Sequence, residues 1–396
     1  MAILFAIVLT DLIGFGIVIP LLPFYGTHFG ASPQEVTLLM ATYSFFQLFT
    51  APLWGRLSDE YGRKPILLVS LAGSVASYLW LGFAHALWAL FAARAVQGAC
   101  AGNIAAAQAY IADVTSPENR AKGMGLIGAA FGLGFIVGPA LGGLLAGPDP
   151  ANPALSAPAF LGAALSALAF LGAVVFLKES LPPAARNAAR RSRIEAVAGA
   201  LRRPSLRFLI ALFFVIIFAF AGMETTFALW ALDQFGWGPR QTSFIFTYVG
   251  ILSALIQGGL IGRLTRHFGE ERLLVAGTGA IALGLAAIPL STTVPLVVAA
   301  TACLAIGMAL TQPSLNSLIS RQAEPHEQGE VMGVAQSAGS LARILGPTFA
   351  GFLFGWVGRN APYLAGAVLI AVVVGLALRL PRRDAPDLAP KAPHLP

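Results

Sequence analysis

The feature that most constrains this chain is a succession of apolar stretches, each about 20 residues long. That is the length a helix needs to cross the roughly 30 Å hydrocarbon core of a bilayer. Twelve can be placed, at 2–25, 36–56, 66–84, 86–112, 122–146, 158–178, 206–232, 242–264, 273–291, 294–319, 330–356 and 361–379. In lipid every backbone N–H and C=O must find a partner inside the protein, which leaves helices or closed barrels. The stretches lack the polar–apolar alternation of barrel strands. The expected fold class is therefore an all-α membrane protein of twelve transmembrane helices. Composition points the same way: 57% of the 396 residues are hydrophobic and 11% are charged, against about 25% charged in a soluble domain. The boundary at 84–86 rests only on His85 and its neighbours, yet the two stretches it separates are together too long for one crossing.

The 25 Lys and Arg residues are unevenly distributed. Arg94 and Arg343 lie inside apolar stretches, and Arg240 and Arg359 follow odd-numbered ones. All the others lie in or border the loops after even-numbered stretches, or sit near the C-terminus. Positive residues stay on the cytoplasmic side, so both termini are expected in the cytoplasm and the chain in a cytoplasmic (inner) membrane. The net charge of +7 is spread through short loops rather than gathered on one face, which argues against a nucleic-acid partner.

The chain is also duplicated. Gly55-Arg-Leu-Ser-Asp-Glu-Tyr-Gly-Arg-Lys-Pro65, a polar break between two apolar runs, returns as Gly262-Arg-Leu-Thr-Arg-His-Phe-Gly-Glu-Glu-Arg272. Phe29-Gly30-x-x-Pro33 answers Phe235-Gly236-x-x-Pro239. Gly138-Pro139, Gly143 and Gly147 answer Gly346-Pro347, Gly351 and Gly355. A repeat near half the chain length means two related units. We expect an N-terminal six-helix bundle at 1–178, a basic linker at 179–205 with a short helix near 194–201, a C-terminal bundle at 206–380 and a disordered tail at 381–396. In transporters built from repeats the site lies between the units.

Several chemistries are excluded. Cys100 and Cys303 lie within apolar runs, and the five histidines are scattered, so neither a disulfide framework nor a metal site is expected. There is no Gly-x-x-x-x-Gly-Lys-Ser/Thr loop for nucleotide phosphates and no enzyme signature. No cofactor is expected, and no cleavable signal peptide.

These residues resemble the major facilitator superfamily, and within it the twelve-helix drug:proton antiporters that include tetracycline efflux pumps. Gly55-x-Leu57-x-Asp59-x-x-Gly62-Arg63-Lys64 is similar to the superfamily's signature between helices two and three. Arg94-x-x-Gln97-Gly98 is similar to a fourth-helix signature. Gly134-x-x-x-Gly138-Pro139-x-x-Gly142-Gly143 resembles the fifth-helix antiporter motif. Asp11 followed by Pro20-Leu-Leu-Pro23 resembles the acidic first helix of tetracycline exporters. The resemblance implies a monomeric secondary transporter that uses the proton gradient and exports small lipophilic compounds by alternating access. An exporter of a sugar, metabolite or lipid, and a non-transporting membrane receptor or scaffold, both stay open.

Each candidate residue carries two readings. Asp11 stands in an apolar run, where a carboxylate is costly and functional by default; it exchanges a proton, or it forms a permanent ion pair with Arg94. Glu224, the second intramembrane carboxylate, carries a proton, binds a cation, pairs with Arg343 or is simply wetted. Arg94 responds to Asp11 or is a strut to backbone carbonyls. Arg343 suits an anionic or zwitterionic substrate or neutralises Glu224. By resemblance, Gly55, Asp59, Gly62, Arg63, Asp113 and Arg120 latch the two units, with both glycines allowing tight turns; the other reading is a solvated turn. The resemblance places helices one, four, seven and ten around the cavity, and so Asn103, Gln108, Trp230, Gln312 and Asn316. Gln47 and Gln257 are further lining candidates from helices two and eight.

Overall fold

The computed structural model describes residues 2–181, 193–324 and 327–379. Among these the secondary structure is helical throughout. The N-terminal half comprises α1 (Ala2–Val18), α2 (Leu22–His28), α3 (Pro33–Tyr61), α4 (Arg63–Gly82), α5 (Leu87–Ala99), α6 (Asn103–Val114), α7 (Pro117–Ala146) and α8 (Ser156–Phe176). A connecting helix α9 (Arg193–Arg202) covers the expected 194–201 helix. The C-terminal half follows with α10 (Pro204–Phe235), α11 (Pro239–Leu255), α12 (Ile261–Phe268), α13 (Glu270–Ala287), α14 (Val294–Arg321), α15 (Gln328–Trp356) and α16 (Ala361–Ala377). The rest of the linker, 182–192, and the tail expected to be disordered lie outside the described residues.

Nine helices among the described residues are long and apolar enough to cross a membrane. The remaining expected stretches are helical in other ways. One is interrupted between α5 and α6, α15 is long but carries polar residues such as Glu330 and Arg343, and α16 is short, at 17 residues. Large apolar side chains such as Trp88, Leu168, Val175, Leu283 and Val368 are more than 60% exposed, which suits a surface solvated by lipid rather than water.

Helix boundaries follow local chemistry. Ser32, Pro33 and Glu35 start α3: the Glu35 carboxylate accepts from the Ser32 N–H at 2.8 Å, and Ser32 Oγ accepts from the Glu35 N–H at 3.3 Å, a capping box. Between α1 and α2 a 3₁₀ turn, Ile19–Leu21, accommodates Pro20, which has no N–H to donate. The break at Cys100–Gly102 would leave backbone groups bare in the membrane, and neighbours supply partners. Trp54 Nε1 donates to the Ala99 carbonyl at 2.6 Å, Thr50 Oγ1 donates to that of Gly98 at 3.3 Å, and Ser70 Oγ donates to Cys100 O and accepts from the Gly102 N–H. Interrupted helices of this kind mark sites in transporters.

The polar break expected at 55–65 is largely helical. α3 runs through Gly55 to Tyr61, and the chain turns at Gly62 alone, with φ +109°. A Cβ on Gly55 would meet nothing, whereas one on Gly62 would run into the Glu179 carboxylate. Gly55 therefore makes no turn, which corrects the sequence expectation. The second copy behaves alike: α12 continues to Phe268 and turns at Gly269, with φ +77°.

The two halves meet chiefly along α3 with α15 and α7 with α11. Their contacts include a duplicated pair at the end remote from the basic loops. A Cβ on Gly143 would stand 2.5 Å from Ser243 Cβ, and one on Gly351 would collide with Thr37; Gly147 O accepts from the Arg240 N–H, and Gly355 abuts Gln34. Thr37 and Gln34 occupy the repeat positions of Ser243 and Arg240, so the interface is a pseudo-twofold one.

Candidate functional site

The site is built on Tyr43 of α3, the helix that packs along α15 of the other half. The guanidinium of Arg94, on α5, lies 4.7 Å from the Tyr43 ring centroid. Phe15 of α1 packs at 5.3 Å and Gln47 Nε2 donates to the Tyr43 hydroxyl at 3.3 Å. Arg94 Nη1 donates to Gln97 Oε1 one turn on, and Arg94 Nε, in a side chain only 3% exposed, has no hydrogen-bond partner. A buried donor left without an acceptor is uncommon and calls for a reason.

Asp11 is 7% exposed and accepts from Ser166 Oγ of α8 at 3.4 Å. Tyr78 of α4 stands beside Gln97 and within electrostatic reach of both Asp11 and Arg94. Its ring fits against Gly14 and Gly162, where an added Cβ would sit 3.5 Å and 3.3 Å from it. Gln97, Arg94 and Tyr43 thus form a polar seam in the N-terminal half, with Tyr78 and Asp11 near it. α1 reaches this position because it packs closely on α7: Cβ atoms added to Gly134, Gly138 and Gly142 would stand 2.5–2.8 Å from atoms of Leu12, Gly16 and Ile17. Small residues permit such an approach in lipid. Pro139, inside α7, lies against Gly16. Gly143 alone of the glycine set faces the other half.

From the C-terminal half Arg343 of α15 donates to Ser340 Oγ at 3.2 Å and lies within electrostatic reach of both Glu224 and Tyr43. Arg94 thus faces the Tyr43 ring, and Arg343 projects from α15, the helix that packs along α3. Glu224 is partly buried on α10. Gln257 is exposed in a π-helical turn, Ile256–Leu260, and Gln108 is also exposed. Gln312 and Asn316 are partly buried on α14, and Asn316 Oδ1 has no hydrogen-bond partner. The side chain of Asn103 lies outside the described residues. Trp230 departs from its expected place. It is fully buried in the C-terminal core, packed with Phe227, Phe235 and Tyr363, and its Nε1 donates to Asn360 at 3.0 Å. Its apolar bulk is better accommodated inside the half than on a wetted wall.

At the basic end, Arg63 organises a second cluster. Its Nη1 meets Asp59 Oδ1 at 2.6 Å and Ser58 Oγ at 3.1 Å, and its Nε donates to Asp113 Oδ2 at 2.9 Å. Glu179, just past α8, accepts from the backbone N–H groups of Arg63 at 2.8 Å and Lys64 at 3.1 Å, the start of α4, and also from those of Ser180 and Leu181. Burial alone would raise the Glu179 carboxyl, but these four donors outweigh it and hold it below the usual glutamate range. Ser180 Oγ adds a bond to Asp113 at 3.0 Å. The partners described for Arg63 and Glu179 all belong to the N-terminal half, so here the cluster ties helices within one unit. The side chain of Arg120 lies outside the described residues.

Sequence reasoning missed Tyr43, Tyr78, Ser166, Glu179 and Ser180. Tyr43 had a signal, since it precedes Gln47 by one helical turn inside an apolar run. Glu179 had another, as an acid entering a basic linker. Tyr78 and Ser166 become visible only through packing.

The sequence matches the family model described as Major Facilitator Superfamily over residues 4–347 and 232–395. It is 29% identical over 402 residues to the tetracycline resistance protein, class H, of Pasteurella multocida, covering 99% of this chain and 98% of that protein. It is 32% identical over 379 residues to the class C tetracycline resistance protein of Escherichia coli, covering 93% and 92%. Among solved structures it is similar to the human organic anion transporter MFSD10 (TETRAN), with a TM-score of 0.71, 26% identity and coverage of 95% and 98%.

Proposed function

The chain belongs to the major facilitator superfamily, and from that premise we propose that it exports lipophilic drug-like compounds in exchange for protons. It is a membrane transporter and not an enzyme. Cargo and coupling are the proposed part. The observation that carries the reading is Asp11, a carboxylate 7% exposed within the first membrane helix, which accepts from Ser166 Oγ of α8 and stands near the polar seam of Arg94 and Tyr43. A carboxylate in that setting is held for a purpose, since an intramembrane charge is costly. Protonation removes its charge, and with it the electrostatic pull on the seam. A group that alternates in this way biases a two-state equilibrium by the difference in its interactions with the two states. The names of the tetracycline resistance relatives support a drug-like cargo.

The test uses the full chain in proteoliposomes with an interior pH dye, an imposed pH gradient, and a panel of lipophilic cations, tetracyclines and sugars. Export by exchange predicts proton movement that depends on several unrelated lipophilic compounds and not on sugars. Proton movement with sugars alone would replace the cargo, and transport with no proton signal would remove the exchange.

A further inference from the structure

The helix that carries Arg94 is broken in two, and one face of α3 holds both pieces. We infer that the Cys100–Gly102 break is a joint on which α5 turns relative to α6 during transport, and that Trp54 is the positioning residue that sets its angle. This rests on the chain being a transporter, and on neither the cargo nor the proton exchange proposed above. Neither α5, of 13 residues, nor α6, of 12, is long enough to span a bilayer alone, which puts the break at membrane depth. Bare backbone there needs partners from the protein itself, and three side chains of two other helices supply them. Trp54 Nε1 of α3 donates to Ala99 O at 2.6 Å, and Thr50 Oγ1 donates to Gly98 O at 3.3 Å. Ser70 Oγ of α4 accepts from the Gly102 N–H at 3.2 Å and donates to Cys100 O. The Trp54 side chain also fills the corner, since a Cβ on Gly102 would stand 2.6 Å from its Cγ.

The repeat shows that the break is built rather than incidental. Its counterpart in the C-terminal half, α14, runs unbroken through Val294–Arg321 around Pro313. The repeat positions of Trp54 and Ser70 are Ile261 and Gly277, which have no side-chain donor. The donors stand in the half that has the break and are absent from these positions in the half that lacks it. What the two pieces carry gives the joint its use. α5 bears Arg94, over the Tyr43 ring, and Gln97; α6 bears Asp113, bonded to Arg63 at the basic end. Tyr43, Gln47, Thr50, Trp54 and Ser58 follow one another along α3 at spacings of three or four residues, which places them on one helix face. That face starts at the seam and ends where Ser58 Oγ accepts from Arg63, with the joint held between. A continuous helix would carry Asp113 rigidly with Arg94. A jointed one lets α5 move with the seam while α6 stays tied to Arg63.

The test uses the full chain and two readouts. The first is transport of tetracycline and of tetraphenylphosphonium in proteoliposomes, alongside binding of each to purified protein. Trp54→Phe keeps a ring in the corner and removes the N–H; Ser70→Ala removes the hydroxyl. Each should lower kcat at least fivefold and leave KM and Kd within twofold of wild type. Ser77→Ala, which loses a bond to the Ser74 carbonyl of its own helix, should change none of these. The second readout needs no substrate: the distance between nitroxide labels at the exposed positions Val69 of α4 and Gln108 of α6, with Cys100 and Cys303 replaced by alanine. A turn of about 20° at the joint moves Gln108, about 9 Å beyond it, sideways by about 3 Å. Trp54→Phe should shift the distance on that scale, and Ser77→Ala should not. Unfolding temperatures report whether each variant is folded; if Trp54→Phe is not, Ser70→Ala carries both readouts. An unchanged kcat, an unchanged distance, or a fall in unfolding temperature alone would overturn the joint and leave Trp54 a packing residue. If wild type moves neither compound, the cargo proposed above fails and the label distance decides the joint. Transport without proton movement, with the kcat loss and the distance shift intact, would reject the exchange and retain the joint.

Discussion

The two halves share their packing and invert their charges. In the N-terminal half, Arg63 opens α4 and pairs with Asp113 near the end of α6. The repeat equivalents are Glu270, which opens α13, and Arg321, which ends α14, and they pair at 2.6 Å with the signs exchanged. By contrast, the glycines at the helix crossings keep their identity: Gly138 and Gly346 both meet backbone of the first helix of their own half, and Gly143 and Gly351 both meet a small hydroxyl residue of the other. The difference is instructive. A close helix crossing in lipid requires the absence of a side chain, and only one residue provides it. A tie between helix ends requires only opposite charges, so either order serves. The N-terminal tie is also the more elaborate, joined by Asp59, Ser58, Ser180 and Glu179, whereas Glu270 is described with Arg321 and Ser317.

The strongest way to break this comparison is through the crossings. Gly138→Leu and Gly346→Leu should each cost about 3 kcal/mol or more, since overpacking against backbone cannot relax by a rotamer change. Gly128→Leu, where an added Cβ meets nothing, should be near neutral. Denaturant titration of purified protein measures all three, and a mild Gly346 variant would show that the repeat does not extend to packing.

The charge ties give the next effect. Arg63→Glu should destabilise by about 3 kcal/mol, because its side chain is only 8% exposed and the new carboxylate would face those of Asp59 and Asp113. Adding Asp113→Arg, which copies the C-terminal order, should recover at least half of that loss. Glu270→Arg should cost somewhat less, about 2 kcal/mol: Glu270 is itself only 8% exposed, but Arg321 is 54% exposed and can turn away into solvent. If the double variant recovers nothing, the sign order in the N-terminal half matters in its own right.

Glu179→Gln should have the smallest effect, and one that depends on pH. The folded carboxyl is held below the ordinary glutamate value of 4.5, so its stabilisation is fully present above that value and is lost as pH falls through the folded one. Wild type should exceed the variant in unfolding temperature at neutral pH, and the gap should close in strong acid. A gap that widens on acidification would show that the four backbone donors do not govern this group.

Much of this architecture was legible in the chain, because hydropathy runs and duplicated glycines report directly on what lipid and close packing demand. Asp11, Arg94, Glu224 and Arg343 stood out as charges where charge is costly. Local chemistry that competes with composition was harder to read. The polar run at 55–65 looked like a loop, yet its residues extend α3 beyond the apolar region and only Gly62 breaks it. Trp230 resembled a cavity aromatic because its position in the chain gives no sign of Asn360, which satisfies its indole from 130 residues away. Glu179 and Ser180 serve Arg63 and Asp113 from a distant part of the chain, and sequence spacing carries no trace of that.

The central claim is that Asp11 couples proton movement to export, and one comparison tests it most directly. Wild type and Asp11→Asn are reconstituted side by side and assayed for substrate-dependent proton movement with an interior pH dye. Equal unfolding temperatures would show that the asparagine variant is folded as the wild type is. The account predicts that the variant binds substrate but loses proton-coupled transport against a gradient. Undiminished coupling in a folded Asp11→Asn protein would contradict it and direct attention to Glu224.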